Sequence, residues 1–135
     1  MNTQELRLGN YVYAIDYNNY DSGMVISRVS VIGETTLMLE NLDLIHNIKD
    51  IEPIELTSDI LQKCGFNKSK MDGYDCHFIY TKYNGSQKFK ITALYDANFS
   101  VCALEDANCI KYLHQLQNLY FAICGKELEV KFKNK

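Results

Sequence analysis

The stretch Ala107–Gly125, ANCIKYLHQLQNLYFAICG, decides how the rest of the chain is read. At about 100° per residue it gathers Cys109, Tyr112, Leu113, Leu116, Leu119, Tyr120, Ile123 and Cys124 on one broad side, with Ile110 and Phe121 at the margins. That arc is wider than the roughly 100° stripe of a surface helix, so the spacing predicts a helix over 107–125 covered on more than one side. Lys111, His114, Gln115 and Asn118 share the remaining strip, because steps of three and four residues return to one face. Gln117 falls inside the apolar arc, where an amide finds hydrogen-bond partners or costs about 1–3 kcal/mol. Asp106 or Asn108 suits the N-cap, and Gly125 suits the left-handed position that closes a helix.

On either side of this helix the period changes from helical to alternating. After it, Leu128, Val130 and Phe132 alternate with Glu127, Glu129 and Lys131, which predicts a last strand over Glu127–Phe132. Before it, Tyr74–Tyr83 and Gln87–Tyr95 have strand composition, with Asn84-Gly85 as a strong hairpin signal, and Phe99–Leu104 follows the turn Asp96-Ala97-Asn98. Thr57 is placed to cap a short helix over Ser58–Cys64, stopped by Gly65. These elements predict an α+β lobe over residues 56–135: an antiparallel sheet with one short and one long helix on one face. Residues 1–55 carry no helical period. Tyr11–Ile15, Met24–Ile32 and Thr35–Glu40 read as short strands, with Gly33-Glu34 as a tight reversal. Leu42, Leu44, Ile45, Ile48 and Ile51 read as further extended pieces, and Pro53 makes Ile51–Leu56 an edge or connector. Short strands so closely spaced must curl to bury their apolar faces, so the expectation is a small SH3-like β-barrel lobe.

Composition limits the function classes. The chain has 135 residues, 47% hydrophobic and 23% charged, which is globular and suits one domain or two small lobes. With a formal net charge of −3 and no basic cluster beyond Lys131, Lys133 and Lys135, there is no strong nucleic-acid signal. No signal peptide or long apolar run is visible, so the expectation is a cytoplasmic protein with no membrane contact. Five cysteines without CxxC spacing read as reduced core thiols. Ten tyrosines favour sheet and sticky polar surface alike.

Glu5-Leu6-Arg7-Leu8-Gly9-Asn10-Tyr11-Val12, Pro53–Thr57 together with Ile60–Phe66, and above all Ile110-Lys111-Tyr112-Leu113-His114-Gln115-Leu116-Gln117-Asn118-Leu119-Tyr120-Phe121 form three distinctive segments. They resemble a family of small uncharacterised proteins of Bacteroidetes bacteria and their phages and prophages. The resemblance implies a phage or mobile-element origin and a bacterial host cytoplasm, and it implies no activity.

The candidate binding residues are Tyr112, His114, Gln115 and Asn118. Amides and an imidazole on one rigid face can hydrogen-bond a base, a nucleotide or a partner's backbone. On the plainer reading, the strip is the solvated side of the helix. Gln117 reads as an amide pinning a strand or loop backbone. Asp72, Asp75, Cys76 and His77 are the nearest approach to a metal cluster, but adjacent strand residues face opposite ways and no second ligand pair has zinc spacing, so no metal is expected. A cysteine nucleophile served by His46, His77 or His114 is possible in principle, whereas apolar flanks mark the cysteines as core filler. There is no phosphate loop or nucleophile elbow, and no cofactor is expected. The reading is therefore a non-enzymatic binding protein with a protein partner. Its alternative is a counter-defence protein that sequesters a nucleotide-type signal by tyrosine stacking, and a third reading is an enzyme of unknown chemistry.

Overall fold

The structure, a computed structural model, describes residues 1–19, 21, 23–70, 73, 77–94, 97–101 and 110–132, with the backbone alone at 94, 97, 98, 100 and 101. The chain is mixed α+β and divides into two compact units. The first takes Met1–Glu55 and Tyr112–Asn118, and the second takes Leu56–Lys111 and Leu119–Lys135.

The first unit is built on four strands in the order β1-β2-β3-β4: β1 (Tyr11–Ile15), β2 (Met24–Ile32), β3 (Thr36–Leu39) and β4 (Leu42–Asn47), all antiparallel. Because side chains alternate across a strand, Val12 and Ala14 of β1 share a face with Val29, Leu37 and Leu39. Together with Leu6 and Ile51 they form a buried cluster, against which Ile32, Leu42 and Ile48 pack. The sheet does not close as the barrel expectation required, since no ladder joins β4 to β1 among the described residues. Two local ties curl it instead. A single bridge pairs Tyr13 with Glu52, after a 3-10 turn at Ile48–Asp50. The buried His46 ring has Nε2 2.8 Å from the Ile15 carbonyl oxygen and Nδ1 3.0 Å from that of Leu44.

The second unit opens with α1 (Ser58–Lys63), where Thr57 caps as its type and position predict: its hydroxyl accepts from the Ile60 N–H at 3.1 Å. Four antiparallel strands follow in the order β5-β6-β7-β8: β5 (Asn67–Lys70), β6 (His77–Asn84), β7 (Gln87–Leu94) and β8 (Ala97–Val101). The register fixes the faces. Tyr80 pairs with Ile91 and Lys82 with Phe89, so even positions of β6 and odd positions of β7 lie on one side. Tyr80, Phe89, Ile91, Ala93 and Phe99 are buried there, as are Phe66, Leu61 and Tyr120. Phe89 meets Phe66 and Tyr120 with ring centroids at 5.9 and 5.2 Å. The Tyr80 hydroxyl is 2.9 Å from the Ser58 hydroxyl.

Three expectations need correction. The long helix, α2, runs only over Leu113–Cys124, because Ile110 bridges Phe99 and Tyr112 bridges Glu55, so strand contacts take the residues that the helical period also fitted. Residues 107–109 and both expected N-caps, Asp106 and Asn108, lie outside the described residues. The last strand does not form: Leu128 is buried and its immediate neighbours exposed, but the segment makes no ladder among the described residues; the Lys131 N–H donates to the Lys63 carbonyl at 3.0 Å. The β6–β7 turn sits one residue later than Asn84-Gly85. Asn84 pairs with Gln87 and stays in the strand, leaving Gly85 and Ser86 as the loop, with Gly85 at φ 62°. A positive φ at the first loop position is the primed hairpin geometry that glycine adopts without penalty. At the far end of α2, Gly125 takes φ 71° as expected, and its N–H bonds the Phe121 carbonyl at 2.9 Å.

Ile91 is fully enclosed in the second unit. We expect Ile91→Ala to lower unfolding free energy by about 2–5 kcal/mol in urea titration, the usual cost of a lost core side chain plus its cavity. A change below about 1 kcal/mol would mean the site collapses around the gap or is not core.

Candidate functional site

The first turns of α2 carry most of the polar side chains singled out in the sequence. Gln117 is buried, and both halves of its amide are used: Oε1 accepts from the Tyr11 N–H at 2.9 Å and Nε2 donates to the Gly9 carbonyl at 3.1 Å. It pins the entry into β1, the role its place in the apolar arc suggests. Asn118 accepts from Asn10 Nδ2 at 2.9 Å and Arg7 Nε at 3.2 Å, and donates to the Glu5 carbonyl at 3.0 Å. Gln115 reaches back to accept the Tyr112 N–H at 3.0 Å, half of a capping box, with Tyr112 unable to supply the other half. The structure thus spends the amides of Gln115 and Asn118 on its own backbone and side chains.

Tyr112 and His114 are brought together differently. Their rings stack with centroids 5.8 Å apart and planes 9° apart. His114 does not lie on a wet face: it is 1% exposed, and neither ring nitrogen has a partner among the described residues. Burial pushes its pKa down, the Glu5 carboxylate opposes this, and the N-terminal ammonium adds to the lowering.

An open cavity of about 530 Å³ lies in the second unit, lined in part by Lys63, Lys82, Lys131, Asp59, Glu129 and Phe132. Lys82 donates to the Cys64 carbonyl at 2.6 Å, capping the C-terminal end of α1, and lies 6.0 Å from the centre of the Tyr120 ring. A Cβ on Gly65 would meet this ammonium at 2.8 Å, and Gly65 also holds φ 88°. Lys63 pairs with Asp59 at 3.0 Å. Burial pushes the Cys64 thiol up to about 12, with Lys82 opposing, so this sulfur stays protonated and is not an activated nucleophile. No group of three metal-ligating side chains occurs among the described residues. Asp72, Asp75 and Cys76 lie outside them, as do Cys102 and Cys109. No helix among the described residues is long and apolar enough to cross a membrane.

The surface that sequence reasoning missed is on the outside of the first unit. Val31 pairs with Met38, and Met38 alone faces Asp43, Leu44 and Ile45, because Leu37 pairs with His46 and Leu39 with Leu42. The extra length on β4 bulges, so two adjacent residues that would point to opposite faces of a regular strand both reach solvent. Val31 is 52%, Leu44 48% and Ile45 63% exposed. β4 is also the end of its sheet, and no strand pairs with its outer side among the described residues. The failed alternation of Leu42, Leu44 and Ile45 is the sequence signal that could have marked it.

Comparison with protein-family models, curated proteins and solved structures finds no match.

Two expectations follow. Gln117→Ala should destabilise the chain by about 1–3 kcal/mol, since it leaves the Tyr11 N–H and the Gly9 carbonyl without their amide partner; equal urea midpoints for variant and parent would remove the pin. For His114, a folded-state pKa below the ordinary value means the native state resists protonation. The contribution of His114 to stability is therefore fully present above about pH 6.5 and is lost as pH falls from there toward the folded pKa. His114→Phe, which keeps a ring against Tyr112, should flatten that part of the profile; parallel profiles for the two proteins would show that another group carries it.

Proposed function

We propose that this is a non-catalytic binding protein of phage or mobile-element origin, whose first unit captures a host or phage protein along the outer edge of β4. The observation that carries this is the β4 edge, on whose outer side no strand pairs among the described residues. A sheet edge offers a row of backbone donors and acceptors to any incoming strand, and proteins usually blunt it with charge. β5, an edge of the other sheet, is Asn67-Lys68-Ser69-Lys70 and fully exposed, with two lysines set against such pairing. β4 is Leu42-Asp43-Leu44-Ile45-His46-Asn47, with one charge and two exposed aliphatics. Backbone pairing along β4 supplies affinity, and a partner's side chains against Val31, Leu44 and Ile45 supply specificity.

We read the first unit as an SH3-like lobe. Support comes from four consecutive antiparallel strands, a 3-10 turn, and the return of Glu52 to the side of β1 opposite β2. The phage origin rests on the resemblance of the α2 motif, and a cytoplasmic location follows from that origin.

The test is a tagged full-length chain used as bait in bacterial lysates, beside the double variant Leu44→Lys, Ile45→Lys. Both positions are exposed, so the melting temperature should be unchanged. A protein retained by the parent and lost by the variant is the expected result. An empty parental bait, or a partner indifferent to both substitutions, removes the proposal.

A further inference from the structure

Among the described residues, one face of the sheet in the second unit is turned away from its helices. Tyr80, Lys82 and Asn84 of β6 face the helices: they contact Ser58, the Cys64 carbonyl and the Cys124 carbonyl in turn. Ile79, Thr81 and Tyr83 therefore point the other way, and the register sets Thr92, Lys90 and Lys88 across from them on β7. On β5, Ser69 and Asn67 continue the rows beside Ile79 and Thr81. Among the described residues this face holds no carboxylate, in a chain whose overall charge is −3.

Three side chains on it await a partner. Tyr83 is 62% exposed, an aromatic ring in water with no ring or ion contact among the described residues. Lys88 stands directly across from it and Lys90 on the diagonal, and neither is paired with a carboxylate among the described residues. Two residues along one strand are about 6.6 Å apart, so the two ammoniums form a short positive row beside a ring. Hydroxyl and amide groups of Thr81, Asn67 and Ser69 complete the surface. A face of this kind suits a ligand with a repeating negative charge and flat stacking groups: the lysines meet phosphates and the ring stacks on a base. A duplex hides its base faces, so Tyr83 selects the unpaired form.

We propose that the face made by Tyr83, Lys88 and Lys90 binds single-stranded nucleic acid without sequence preference, a second binding activity separate from the β4 edge. The test is fluorescence anisotropy of the full chain with a labelled 20-nucleotide oligothymidylate, a mixed-sequence single strand, and the corresponding duplex. Both single strands should bind alike, and the duplex distinctly more weakly. With two phosphate contacts the affinity should fall about sevenfold between 50 and 200 mM salt, from a logarithmic slope of about −0.7 per contact. Tyr83→Ala should weaken binding about 5- to 150-fold, the range for loss of one base stack, and Tyr83→Phe should restore it. Lys88→Gln with Lys90→Gln should leave the remaining binding nearly insensitive to salt. Tyr83 and Lys88 are exposed and Lys90 is half-buried, and unchanged melting curves would confirm that the fold is intact. Absence of binding at 50 mM salt, equal affinity for the duplex, or binding untouched by these substitutions overturns the proposal.

Discussion

The first unit depends on one amide. Gln117 accepts from the Tyr11 N–H and donates to the Gly9 carbonyl, so a single side chain satisfies two backbone groups at the point where the chain enters β1. Such groups cannot be left unpaired away from water, and β1 carries Val12 and Ala14 into the core directly afterwards. Asn118 adds a second layer by binding Asn10, Arg7 and the Glu5 carbonyl. Gln117 and Asn118 thus act together as a lock on the segment from Glu5 to Tyr11. This explains why a helix so rich in amides offers few of them to a ligand.

Much of this was legible in the sequence because it depends on local chemistry. Thr57 capping α1, Gly125 closing α2 and Gln117 seeking partners inside an apolar arc each follow from one residue type at one place in a period. The readings that failed concern tertiary competition. Ile110 and Tyr112 fit the helical wheel, yet each is taken by a strand contact, and a wheel carries no information about what waits beside it. Leu128, Val130 and Phe132 alternate as a strand does, but alternation reports one-sided burial and not the presence of a neighbour to form a ladder. His114 fell on the polar strip by spacing, and it is the packing around it, not its own type, that removes it from water.

The two surfaces of interest were hidden for a related reason. The bulge in β4 that exposes both Leu44 and Ile45 arises from a mismatch in length against β3, which appears only once the strands are paired. The grouping of Tyr83 with Lys88 and Lys90 likewise depends on the hairpin register, which the turn at Gly85-Ser86 sets. A shift of one residue in that turn would pair Tyr83 differently and change which side chains share its face.

The contacts of Gln117 span 106 and 108 residues of sequence, and that span orders events in time. Strands β1 to β4 leave the ribosome long before α2 has been made. Residues 56–118 take roughly 3–12 s to synthesise at the usual pace of bacterial and eukaryotic ribosomes. Throughout that interval the Gly9 carbonyl and the Tyr11 N–H have no helix to receive them. The first unit is therefore completed by Tyr112–Asn118, and its final packing waits until that segment has been made.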